Sequence, residues 1–401
     1  MAPWLLPENL ADALPQEAAR IETLRRECLD LFRSYGYELV IPPILEHIEA
    51  LLIGSGRDLA GRTVQVVDLL SGRILGVRAD MTPQAARIDA HLLNRNGVTR
   101  LCYAGSVVHA RPAGLFASRE PLQIGAELYG FGGIAADLEI LELMVESLLR
   151  AGVPAPRIDL SHMGIVPALL AAYPQGLPRF GLEEEELYAL LLAKDRPALA
   201  RLREVDAALG GALFDLSGLY GPAAPGSNAS EVLERARHSL PDLPAVQEAL
   251  DALDQIVGAR VWHRYPGLQL SIDLADLRGH RYHTGVSFAA YVRERADAIA
   301  RGGRYDNVGA VFGRRRPATG FSLELRELAG LGQPPRPLSA VLAPDSDDAA
   351  LDAAIMRLRR AGEVVIRRMP GDDPSPSDLD CDRELVRSGD QWLIRPRERA
   401  H

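Results

Sequence analysis

Apolar residues recur along the chain with two different periods, and the places where one period gives way to the other set the expected architecture. Between residues 16 and 35, Ile21, Leu24, Cys28, Leu31 and Phe32 share one face at helical spacing, and Gly36 closes the helix. "GYELVIPP" then alternates Tyr37, Leu39 and Ile41 as a short strand ended by Pro42 and Pro43. "VQVVDLLSGRILGV" predicts a hairpin turning at Ser71–Gly72, and a helix is expected after "RADMTPQAAR". From 100 to 130 the pattern is strand, loop, strand: the first run breaks in "SVVHARPAG", and the second covers Leu122 to Tyr129. The loop between them holds Arg111 and Arg119. An amphipathic helix over 135–151 ends at Gly152.

Residues 165–260 are leucine- and alanine-rich helical segments, with "LYGPAAPGSNAS" as a flexible turn between them. Strand patterns return in "LQLSIDLADL", "RYHTGVSFAAYV" and "ATGFSLEL". The expectation is an α+β core over 1–330: an antiparallel sheet flanked by helices and interrupted by a helical insertion at about 165–260. A proline-rich linker, "GLGQPPRPLS", leads to a short α/β segment over 331–401. It is read as a strand near 339, a helix over 347–361, a strand at "EVVIRR" and a polar stretch before "QWLIRP". No internal repeat is seen.

Composition narrows the function. A chain of 401 residues, 47% hydrophobic and 25% charged, suits a soluble protein of two or three domains. Its net charge of -9 argues against broad nucleic-acid binding, which needs a basic face. Three separated cysteines without a CxxC pair read as reduced thiols. The start "MAPWLLPENLADAL" lacks the basic leader of a signal peptide, and no apolar run approaches the ~18 residues of a membrane span. A cytoplasmic protein is expected. The only lysine, Lys194, lies in helical "LLLAKDRP", so there is no phosphate-binding P-loop. "GSGRDLA" follows a helix rather than a strand and is not a dinucleotide fingerprint. There is no HExxH, and His280 and His283, read as strand residues, would face opposite ways; no metal site is expected.

Four stretches stand in a telling order: "GYELVIPPILE", "VRADMTPQAAR", "ARPAGLFASREPLQIGAELYG", and "LRGHRYHTGVSF" with "RGGRYDNVGAVFG" and "ATGFSLELREL". Together they resemble the catalytic core of histidyl-tRNA synthetase, a class II aminoacyl-tRNA synthetase, over roughly residues 10–330. The signatures RG-x-x-Y-x-TG and GGRYD carry most of the likeness. GGRYD alone would be an ordinary polar turn; its place in the series is what is specific.

That resemblance implies a lost chemistry. In class II synthetases the first strand of the hairpin carries an arginine that grips the ATP α-phosphate, followed two residues later by a glutamate. Registering Arg111-Pro112 and Gln123-Ile124-Gly125 on this pattern puts Val108 at the arginine and Ala110 at the glutamate. The loop is one residue longer than its counterpart, which leaves Arg119 within reach of an anion. The closing motif GF-x-x-G-x-ER reads "GFSLELRE", with Glu324 at the second glycine, Arg326 at the glutamate and Glu327 at the arginine. An arginine one residue off is rotated by about 100° on a helix. Each lost donor costs on the order of 100- to 1000-fold in rate. No catalytic residue is therefore assigned.

The amino-acid end of the implied pocket is better kept. Asp80 and Thr82 match the family's ammonium-binding carboxylate and hydroxyl, and Gln123 and Glu127 match its second strand, where the glutamate faces the imidazole. Arg278 matches the family's second arginine and becomes the candidate for the ligand carboxylate. Tyr282 and Tyr305 match ring-contacting tyrosines, and His283 replaces another.

A synthetase-like core without its phosphate grip, and with a tail shorter than a full anticodon-binding domain, resembles the regulatory subunits of ATP phosphoribosyltransferase. "HRYHTGVSFAAY" is typical of that group. The resemblance implies a short-form catalytic partner in a hetero-octamer of four plus four chains, with feedback inhibition by L-histidine. It also implies a self-dimer through 37–46 with Leu39 and Ile41 in the seam, and no cofactor, membrane or tRNA. The rival reading is a divergent histidyl-tRNA synthetase.

Overall fold

The computed structural model describes residues 5–52, 61–112, 114, 117–227, 230–293, 295, 297–331, 339–370 and 380–397. "GSGRDLA" and most of the proline-rich linker lie outside them. Two compact units divide the chain: Met1–Ala13 with Ile21–Gly332, and Gln333–His401 with Leu14–Arg20.

Of the helix Pro15–Ser34, residues 21–34 belong to the first unit, and Gly36 at φ +85° makes the left-handed turn that ends it. Strands follow as β1 (Glu38–Leu39), β2 (Leu45–His47), β3 (Val64–Val67), β4 (Ile74–Val77), β5 (Thr99–Ser106) and β6 (Leu122–Tyr129). After the helix Ile134–Arg150 come β7 (Arg157–His162), β8 (Tyr220–Ala223), β9 (Gln269–Asp273), β10 (Val286–Tyr291), β11 (Ala300–Arg304) and β12 (Ala318–Glu324). Nine of these strands make one sheet in the order β1-β5-β6-β12-β11-β10-β7-β9-β8, and β2-β4-β3 make a small second sheet.

Several expectations need correction. The large sheet is mixed, because β1 runs parallel to β5 and β7 parallel to β9. The segment "LYGPAAPGSNAS" is not all turn: Tyr220–Ala223 is edge strand β8, paired with β9. Its proline is tolerated because an edge residue leaves one side of the ladder unpaired. The strand at 37–41 shrinks to Glu38–Leu39, with Tyr37 buried while Leu39 and Ile41 are 50% and 84% exposed. The helix expected after "RADMTPQAAR" begins inside it, at Thr82. His280 and His283 lie in a turn before β10, so a strand's alternation does not govern them.

The period-2 pattern explains how the sheet divides its two faces. Ile124, Ala126 and Leu128 of β6, Phe321 and Leu323 of β12, Phe288 of β10 and Leu160 of β7 point to one side. There they meet Leu24, Cys28 and Phe32, Ile140, Met144 and Leu148, and Leu250 and Leu253 of the helix Pro244–Val257. Phe32 meets Phe321 edge-on, with ring centroids 5.8 Å apart. The intervening residues point the other way and are small or polar, which leaves that face open for chemistry.

In the second unit, β13 (Ser339–Ala343) lies between β14 (Val365–Arg367) and β15 (Asp380–Ser388), and β16 (Gln391–Pro396) completes the sheet. The helix Ala349–Arg360 packs Leu351 and Ile355 on Val341, Val365 and Leu385. Strand β15 occupies the end of the stretch read as polar: "DCDRELVRS" hides its pattern by carrying only Leu385 into the core.

The GGRYD arginine serves the fold. Arg304 is buried and donates to Asp137 on the helix Ile134–Arg150 at 2.7 and 3.2 Å, and to the carbonyls of Phe131 and Gly133. Without Asp137 the buried guanidinium keeps only Asp306 at 3.3 Å as a charged partner, so Asp137→Ala is expected to destabilise the protein by about 3 kcal/mol in chemical denaturation. Arg179→Ala, which removes only the exposed partner of Asp206, should stay within about 1 kcal/mol.

A polar pocket on the open face of the sheet

Glu127 sits in the middle of the open face, 1% exposed. Register places Leu101 of β5 and Gly320 of β12 on either side of it. Gly320 is required: a Cβ there would fall 1.6 Å from Glu127 Oε2. The Tyr103 hydroxyl donates to Glu127 Oε1 at 2.8 Å, and the Tyr305 hydroxyl donates to Oε2. Thr82 Oγ1 lies 2.9 Å from the Tyr103 hydroxyl, linking the helix Thr82–Arg87 to the cluster.

Asp80 stands just before that helix. Its Oδ1 accepts from Thr82 N at 3.0 Å and from Gln123 Nε2 at 2.9 Å, while Gln123 Oε1 accepts from Met81 N at 2.9 Å. One hydrogen-bonded chain thus joins Asp80, Gln123, Thr82, Tyr103, Glu127 and Tyr305. Tyr282 packs on Tyr305 with centroids 5.0 Å apart, and His283 meets Tyr282 edge-on at 5.5 Å. The Tyr282 hydroxyl and His283 Nδ1 are buried without a hydrogen-bond partner among the described residues. Burial lowers the His283 imidazole to about 4, which keeps it neutral at pH 7.

Arg278 is held apart from this chain of hydrogen bonds. It donates to both oxygens of Asp276 and, at 2.6 Å, to the Tyr291 hydroxyl. With His283 it lines a cavity of about 190 Å³ farther along the same face, together with Asp159, Ser161, Ser287 and Arg301. Sequence reading missed Tyr103, Asp276 and Arg301. Tyr103 had a signal: hairpin register sets it opposite Gly125, diagonal to Glu127. Arg301 lies just ahead of the GGRYD signature, and only register reveals the face it shares with Glu127.

At the other end of the hairpin the sheet offers little to a phosphate. Val108 N donates to Arg78 O and Ala110 N to Arg62 O, so both positions are stitched to neighbouring segments. Arg119 Nε donates to His109 O at 3.1 Å, and Arg111 is exposed. Glu324 accepts from the backbone N–H groups of Leu122, Arg326 and Glu327, capping the helix Leu325–Ala329. Arg326 turns away and donates to the carbonyls of Ala11 and Asp12. Among the described residues no group of three His, Cys, Asp or Glu side chains could hold a metal, and no helix is long and apolar enough to cross a membrane.

Burial pushes the Glu127 carboxyl from 4.5 to about 8, although the Tyr305, Tyr103 and Thr82 hydroxyls work in the opposite direction. The folded protein holds this proton more tightly than the unfolded chain does. Its contribution to stability is therefore complete below about pH 4.5 and is lost as pH rises through about 8. Denaturation of wild type and Glu127→Gln across pH 4–9 should show the wild type losing stability relative to the amide over that window.

Known proteins place this geometry. Residues 9–328 match the family model for histidyl-tRNA synthetase, and residues 338–395 match that of the ATP phosphoribosyltransferase subunit HisZ C-terminal domain. A protein of Cupriavidus taiwanensis named ATP phosphoribosyltransferase regulatory subunit is 54% identical over 398 residues, covering 98% of this chain and 99% of that protein. One of the same name from Bordetella petrii is 53% identical over 399 residues, covering 98% and 100%. A crystal structure from Bacillus halodurans, described as an ATP phosphoribosyltransferase regulatory subunit/histidyl-tRNA synthetase, superposes with a TM-score of 0.79 at 24% identity, covering 94% and 95%. Histidyl-tRNA synthetase from Nostoc shares the fold with a TM-score of 0.74 at 16% identity, covering 98% and 94%. The chain belongs to the family of ATP phosphoribosyltransferase regulatory subunits, which is built on a histidyl-tRNA synthetase-like core.

Proposed function

We propose that this chain is a non-catalytic subunit that activates a short-form ATP phosphoribosyltransferase in the cytoplasm and makes it sensitive to histidine. The assembly is four catalytic and four regulatory chains, the synthetase-like core over 1–330 supplies the sensor, and tRNA is not a partner. One contrast carries the reading: Asp80, Thr82, Gln123, Glu127 and Tyr305 stand in one connected polar cluster, while Val108, Ala110 and Glu327 replace the groups that would grip ATP. A site that keeps its amino-acid end and lacks its phosphate end suits sensing rather than adenylation.

In this reading the histidine ammonium meets Asp80, Thr82 and Gln123, and its imidazole meets Glu127, with Tyr282, His283 and Tyr305 around the ring. Arg278 lies toward the carboxylate end but is already engaged by Asp276. Occupancy regulates only if the inhibited assembly binds histidine more tightly than the active one, since equal affinity shifts no equilibrium. Self-association through 37–46 is supported by the exposure of Leu39 and Ile41 beside the edge strand β1.

Mixing the chain with its catalytic partner and assaying phosphoribosyl transfer tests this. Glu127→Gln should raise the histidine concentration for half-inhibition by roughly 10-fold or more, as loss of one strong hydrogen bond would, and leave activation in place. Inhibition unchanged in both Glu127→Gln and Asp80→Asn would move the sensor elsewhere. The isolated chain should show no histidine-dependent exchange of pyrophosphate into ATP. Light scattering at micromolar concentration should report a dimer, and a monomer would contradict the seam.

A further inference from the structure

We infer that Arg301, not Arg278, is the residue that recognises the carboxylate of the amino acid bound on this face. The inference rests on the histidine reading and assigns a residue within it. Arg278 is neutralised: Asp276 accepts from two of its nitrogens and the Tyr291 hydroxyl from one, so a ligand would have to break a bidentate pair to use it. Arg301 lines the same cavity and has no ion-pair partner among the described residues.

Two acids, Asp159 and Asp276, and two arginines, Arg278 and Arg301, line the cavity. Asp159 is matched by Arg157 at 3.0 Å, and Asp276 by Arg278. The positive charge left over is that of Arg301. The floor beside it is polar and incompletely satisfied: Ser161 is 3% exposed with its Oγ unpartnered among the described residues, and Ser287 lies opposite it at 7%. A carboxylate at Arg301 would bring an acceptor to this unpaired hydroxyl as well.

Register gives the span. Glu127 stands opposite Gly320, Gly320 opposite Gly303, and Arg301 is two residues from Gly303 on the same face. Two strand spacings across and two residues along separate the Cα atoms of Glu127 and Arg301 by roughly 12 Å. Both side chains rise from the same face; the Glu127 carboxyl fills the space over Gly320 and the His283 ring lies over Gly303, so the route from one to the other runs along His283. An amino acid whose ring meets Glu127 can therefore direct its carboxylate to the Arg301 guanidinium.

Calorimetric titration of the full chain with histidine and with histamine, which lacks only the carboxylate, tests the assignment. Wild type should prefer histidine. Arg301→Gln should weaken histidine by roughly 10- to 100-fold, to the level of histamine, and leave histamine unchanged. Arg301→Lys should restore part of the preference, and Arg278→Gln should keep it. Arg301 is exposed, so its replacement leaves the core intact. Discrimination that persists in Arg301→Gln and disappears in Arg278→Gln would overturn the assignment while sparing the histidine reading. A wild-type chain that binds neither compound would overturn both.

Discussion

A carboxyl group sunk into the middle of a β-sheet must be protonated, hydrogen-bonded or both, and the open face of this protein is organised around meeting that demand for Glu127. Leaving such a group unsatisfied would cost several kcal/mol, a large fraction of a domain's net stability. Two tyrosines from different strands supply hydroxyls, and a glycine on the neighbouring strand leaves room for the carboxyl. The glycine matters as much as the donors, because any side chain at 320 would evict the group it faces. Tyr103 in turn engages Thr82, so the demand of one buried carboxyl extends to the helix that follows Asp80.

The same synthetase-like sheet has two unlike faces. Its far face remains an apolar layer under helices, with Phe32, Met144 and Phe321 in one core. At the hairpin end, Val108, Ala110 and Glu324 knit the structure together. Glu324 is the clearest case, since its carboxylate caps a helix and ties it to the start of β6. An acidic group seated at a helix N-terminus strengthens the local backbone.

Much of this was legible in the residues. Helical spacing of Leu24, Cys28 and Phe32 marked the first helix, and the ordered signatures named the core and the polar cluster around Glu127. Where the reading failed, the cause is physical. Strand β15 carries few apolar residues into its core, so periodicity did not expose it. Strand β8 contains proline and glycine, which read as turn because only its edge position permits them. The parallel pairs β1–β5 and β7–β9 join segments distant in sequence, and local patterning holds no information about which strand lies beside which.

The sequence by itself determined which residues are apolar on a period of two or 3.6, where chains must turn, and which chemical groups are available for a site. It therefore determined the class of fold and the identity of Asp80, Gln123 and Glu127 as candidates for one polar cluster. Tertiary structure alone decided partnership. Arg278 and Arg301 are both arginines near a recognised signature, and nothing local separates them. Folding brings Asp276 and Tyr291 to one and leaves the other without an ion-pair partner among the described residues, at a cavity lined by Ser161 and Ser287. Whether a charge is free or spent depends on neighbours contributed by other strands, and those are set only when the sheet closes.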